Sequence, residues 1–131
     1  MGWVAAGIVA GLILTPHVRW QPEFKSSILG ADEAYAALDA EPFFHDTAAG
    51  GYVIYRFWPD MSAAIDDRAE LHGDRLVAFT EAKNGTYEEL FAENGFKQAL
   101  VGVEWPLANV LDNAGWVEVY RDDSHVVLIA P

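Results

Sequence analysis

The chain has 131 residues, 52% of them hydrophobic, and a formal net charge of −12. That length gives one domain able to bury a core, and the apolar content excludes a disordered chain. The acidic surplus repels phosphate backbones and so excludes nucleic acid as a partner. The lack of cysteine excludes disulfide scaffolds, thiolate metal sites and cysteine nucleophiles.

Gly2 to Leu14 reads GWVAAGIVAGLIL, without a charge, and Thr15-Pro16 closes the run. A bilayer-spanning helix needs about 20 apolar residues, so the run admits three readings. It is the outer end of a membrane helix that begins in a longer parent chain, a buried element of the domain, or a signal-peptide core. A signal needs a preceding Lys or Arg, and none is present. Gly7 and Gly11 form a G-x-x-x-G pair, which suits close approach of membrane helices. The membrane reading leads. It divides the chain into an apolar segment at 1–14, a linker at 15–30 and an α/β domain at 31–131. Only Arg19 and Lys25 are basic in the linker. A cytoplasmic flank usually carries a Lys/Arg cluster, so the domain is expected on the extracytoplasmic face of the cell membrane.

Ala31 to Ala40 has Ala34, Ala37 and Leu38 at helical spacing, and Asp32 and Glu33 complement the dipole of its first turn. Pro42 stops it. After Gly50-Gly51, the aromatic and β-branched run Tyr52 to Phe57 predicts a strand. Trp58-Pro59-Asp60 is a turn, Ser62 to Ile65 a second short strand, and Asp66 to Gly73 a polar loop. Asp74 is placed to cap a helix through about Lys83, which Asn84-Gly85 ends. Thr86-Tyr87-Glu88-Glu89 matches a capping box for a short helix that stops at Asn94-Gly95. Phe96 to Val103 reads as a buried strand. Trp105-Pro106 opens a helix with Gly115 at its end. Trp116 to Tyr120 and His125 to Ile129 form a hairpin. Leu100, Val101, Val127 and Ile129 are expected to be buried on adjacent strands. The order predicts a layered α/β domain with a mixed sheet, helices packed on it and a C-terminal β-hairpin.

Gly50 to Tyr55, Trp58-Pro59 and Ile65 to Gly73 together resemble a pattern from one protein family. So do the apolar strand at Phe96 to Val103 and the segment Gly115 to Asp123. The family is the C-terminal soluble domains of bacterial polytopic membrane proteins of the glycosyltransferase-like, lipid-linked-sugar-dependent mannosyltransferase type. The resemblance covers about Ala31 to Pro131. Asp67 stands where the family usually has Gly, and His72 where it usually has Tyr. The resemblance implies a non-catalytic accessory domain whose partners are the membrane part of the parent chain and a glycan or lipid-linked sugar. Any catalytic centre would then lie in the membrane part.

The segment Asp66 to Asp74 concentrates the groups that could carry a site: Asp66, Asp67, Arg68, Glu70 and His72, with Trp58 nearby. Oxygen ligands of this kind suit Ca²⁺ or Mg²⁺, and His72 with Asp66 suits acid–base work. The competing reading is structural, with an Asp66–Arg68 ion pair, Asp74 as a cap and the rest solvated. Trp58, Trp105 and Trp116, with Tyr52 and Tyr55, have the surfaces to stack on sugar rings. His17, His45 and His125 lack ligand spacing, and no glycine-rich phosphate loop or G-x-S-x-G elbow occurs. No cofactor or catalytic residue is expected. Asn84-Gly85-Thr86 matches a glycosylation acceptor. Two other functions stay open: a membrane-anchored interaction module of the cell envelope, and a small metal-dependent enzyme that uses the Asp66 loop.

Overall fold

A computed structural model describes residues 29–131; the apolar segment and nearly all of the linker lie outside the described residues. Four strands form one sheet in the order β1 (Phe43–Phe44), β2 (Gln98–Gly102), β4 (His125–Ile129), β3 (Val117–Arg121). The β1–β2 pair is parallel and the other pairs are antiparallel, so the sheet is mixed. Among the described residues six helices accompany it: α1 (Asp32–Ala36), α2 (Thr47–Phe57), α3 (Ala69–His72), α4 (Asp74–Lys83), α5 (Glu88–Asn94) and α6 (Pro106–Asn113). No helix of the described residues is long and apolar enough to cross a membrane.

Alternation along the strands divides the core into two layers. Phe43, Leu100 and Val127 face α1 and α2, where they meet Tyr35, Leu38 and Val53. Phe44, Ala99, Val101, Val126 and Leu128 face α4, α5 and α6, where they meet Phe79, Phe91 and Leu111. The result is an α/β/α arrangement with the C-terminal hairpin at the far edge. Leu100, Val101 and Val127 are buried as expected, and Ile129 is only partly covered. Strand β1 is too short to be read from its sequence. Its two phenylalanines are both buried, one in each layer.

The strand expected over Tyr52 to Phe57 is the C-terminal half of helix α2. Alternation there would not separate apolar from polar side chains. Helical spacing instead puts Ala49, Gly50 and Val53 on one buried side. Asp46 caps the helix by accepting the Ala48 amide. A Cβ at Gly50 would stand 1.8 Å from the Ile65 carbonyl oxygen, so only glycine lets α2 rest on that backbone. Nor is Ser62 to Ile65 a strand: it has no sheet partner and crosses α2 at Gly50. The turn at Trp58-Pro59 forms, with a cis peptide bond.

Helix α4 begins at Asp74, inside the helix, and Gly73 holds the cap position without a side-chain hydrogen bond. The capping box at Thr86 does not form. The Glu88 carboxylate instead accepts the Tyr87 amide at 3.2 Å, and the helix starts at Glu88. Gly95 ends α5 in the left-handed conformation, as the sequence predicts. Pro106 opens α6, also as predicted.

Candidate functional site

In open α/β sheets, ligands gather beyond the carboxyl ends of parallel strands. Here β1 runs into His45-Asp46 and then α2, and β2 runs into Val103–Trp105 and then α6. Strand β4 starts at the same end, since Gly102 pairs with His125. Between these segments lies an open cleft of about 360 Å³. Asp46, Lys83, Glu104, Trp105, Asp123 and Ser124 line it. Lys83 comes from the end of α4. Its ammonium stands 2.8 Å from Asp46 Oδ2 and 4.2 Å from the centre of the Trp105 ring. A Cβ at Gly102 would meet Trp105 Nε1 at 2.6 Å, so the indole packs directly on that glycine.

Backbone geometry holds the cleft walls. Asp122 accepts the Ser124 and His125 amides at 2.7 Å each and the Tyr120 hydroxyl at 3.0 Å, which fixes the turn carrying Asp123 and Ser124. Asp46 Oδ1 accepts the Thr47 hydroxyl at 2.9 Å and the Ala48 amide at 3.4 Å. Burial pushes the Asp46 carboxyl up, but Lys83, Thr47 and Ala48 outweigh that and hold it below the ordinary carboxylate range.

Behind Asp46, the buried His45 accepts the Ala64 amide at Nε2, 2.9 Å away. Its Nδ1 therefore carries the proton and donates to the Asp46 carbonyl at 2.8 Å. Burial lowers the His45 pKa more than Asp46 raises it. The imidazole is a neutral strut between the cleft and the 62–66 segment.

That segment leads to the residues singled out from the sequence. Asp66 is buried, and it accepts the Arg68 amide at 3.0 Å and the Arg68 Nε at 2.9 and 3.1 Å. The Arg68 guanidinium closes a second contact to Oδ2, and His72 Nε2 lies 2.8 Å from Oδ1. The Arg68 hydrogen bonds hold the Asp66 carboxyl far below the ordinary range, against the effect of burial. Asp66, Arg68 and His72 thus form one centre. Asp67, Glu70 and Trp58 are exposed and do not join it. Arg75 serves elsewhere, donating to the Ala64 carbonyl and to Asn94. Among the described residues, no group of three or more His, Asp or Glu is placed to hold a metal ion.

No family model, curated protein or solved structure matches the chain.

Geometry therefore has to separate the two places. The Asp66 carboxylate spends both oxygens on Arg68 and His72, which leaves little capacity for a ligand. The cleft is open, roomy and lined by groups on four elements. Three carboxylates face one ammonium there, so its field disfavours anions. Of its residues, the sequence pointed to Trp105 as a stacking surface. Asp46, Lys83, Glu104, Asp123 and Ser124 were not legible, because they lie far apart in the chain and meet only once β1 and β4 both pair with β2.

Proposed function

We propose that the chain is a non-catalytic, extracytoplasmic accessory domain of a glycosyltransferase-like membrane protein, and that it recognises the acceptor glycan. The strand-end cleft carries this reading. An indole beside several carboxylates and a hydroxyl suits a neutral, hydroxyl-rich ligand, since carboxylates accept sugar hydroxyls and an indole covers the apolar face of a ring. The same carboxylates disfavour the phosphate of a lipid-linked donor. The acceptor is thus the better partner of the two sugars that the family resemblance implies.

The test is a tryptophan-fluorescence and NMR titration of the full chain with a mannose disaccharide and, separately, with inorganic pyrophosphate. The disaccharide should perturb Trp105, Asp123 and Ser124, and Glu104→Ala should weaken the effect. Pyrophosphate should leave these residues unchanged. Perturbation by pyrophosphate alone, or by neither probe, would overturn the reading.

A further inference from the structure

The buried imidazole that follows β1 is part of the backbone's own hydrogen bonding. His45 Nε2 accepts the Ala64 amide at 2.9 Å. A backbone N–H can only donate, so this contact exists only while Nε2 is without a proton. The segment it holds, residues 62–66, lies in no helix and no strand. Three further contacts seat it. Ile65 packs in the core, its carbonyl lies against Gly50, and Arg75 donates to the Ala64 carbonyl at 3.2 Å. We infer that His45 is an acid-sensitive latch. A second proton on the ring sets two donors, Nε2–H and the Ala64 N–H, against each other and frees the 62–66 segment from the start of α2 while the sheet stays folded.

The surroundings give the ring little help in holding that proton. Asp46 is the neighbouring carboxylate, but its oxygens are engaged by Lys83 of α4, by Thr47 and by Ala48. Phe79, Thr80 and Lys83 line the α4 side, and the Phe43 ring of β1 is centred 5.1 Å away. Beyond Ala64, Asp66 is committed to Arg68 and His72, and Arg75 brings another positive charge to the Ala64 carbonyl. Burial lowers the His45 pKa by more than Asp46 raises it. Once the segment lifts away, the imidazole meets water and regains its ordinary value of about 6.5. The open form thus takes up a proton that the closed form resists, and its population grows about tenfold for each pH unit below that value. Asp46 and Asp66 are held below the ordinary carboxylate range and keep their charges meanwhile. A charged His72 would strengthen its contact with Asp66, which opposes release. Opening also takes Ile65 out of the core, so the open form is the minor one.

Native-state hydrogen exchange of the full chain, followed by NMR between pH 7 and pH 5 at low urea concentrations, tests the latch. The protection of the Ala64 amide should fall with pH, by up to about tenfold per unit. It should respond weakly to urea, since a local opening exposes little surface. The amides of β2 should be better protected and carry the full urea dependence of global unfolding. In His45→Gln, whose side-chain oxygen can accept the same amide, the pH dependence at Ala64 should disappear. In His72→Asn it should remain. Ala64 exchange with the urea dependence of β2 runs through global unfolding and overturns the latch. Protection at Ala64 that does not change with pH overturns it too, as does a pH dependence that survives in His45→Gln or is lost in His72→Asn. The parent and His72→Asn decide the matter even where His45→Gln does not fold.

Discussion

Two side chains show how this protein uses buried polar groups. Asp66 ties the 64–68 backbone together through its Arg68 and His72 contacts. Asp66→Ala should cost about 1–3 kcal/mol, because the Arg68 amide loses its acceptor and the half-buried His72 its partner; urea unfolding at neutral pH measures it. The folded-state pKa is depressed. The stability Asp66 provides is thus complete above its unfolded value, about 3.9, and declines as pH falls below that toward the folded value. His45 works at a higher pH. Its folded pKa is lowered by burial, so the unfolded chain takes up a proton below about 6.5 while the native chain resists it. Stability should therefore fall between pH 7 and pH 5. In His45→Gln, whose side-chain oxygen can accept the Ala64 amide but cannot titrate, that part of the slope should vanish. Equal slopes in parent and variant, from melting temperatures across this range, would show that His45 is protonated in the folded protein.

At the scale of elements, adjacent glycines in α2 make opposite demands. Gly50 touches the Ile65 carbonyl, whereas a Cβ on Gly51 meets nothing within 4 Å. Gly50→Ala must push α2 off the 62–66 segment and should cost at least the roughly 1–3 kcal/mol typical of overpacking. Gly51→Ala should stabilise by about 0.5–1 kcal/mol, the ordinary gain in a helix interior. Chemical denaturation of the two variants should give shifts of opposite sign; shifts of the same sign would contradict the helix. Leu100→Ala, in the centre of β2, should cost about 2–5 kcal/mol. These positions also mark what was readable in the chain. Strand β2 and the hairpin were legible because their apolar runs are bounded by Gly and turn residues. Helix α6 was legible from Pro106. Helix α2 was not, because Tyr52 to Phe57 has local strand preference and is overridden by a tertiary contact at Gly50. The Asp66–Arg68 pair was readable, since the partners stand two positions apart in the chain. The cleft was not, because it depends on the two-residue strand β1.

For the whole molecule, Lys83 is where the two layers meet. It closes α4 on one side of the sheet, pairs with Asp46 at the start of α2 on the other, and lies over Trp105 at the start of α6. The cleft that it crosses stands about 18 Å from Trp58 along the axis of α2, at 1.5 Å per residue. Lys83→Met keeps an unbranched side chain of similar length and removes the ammonium that lies over the indole. Burial then acts on the Asp46 carboxyl without the ammonium that opposes it. Its pKa should rise, by carbon-detected NMR titration, while the Thr47 and Ala48 hydrogen bonds go on lowering it. The pair is partly solvated, so the loss of stability should stay near the 1 kcal/mol upper end for exposed ion pairs. A neutral disaccharide should still perturb Trp105 in this variant, because no step of its recognition uses a positive charge. If Lys83→Met abolished disaccharide binding while leaving the fold intact, the ammonium would be a ligand contact, and the cleft would have to be reassigned to an anionic sugar.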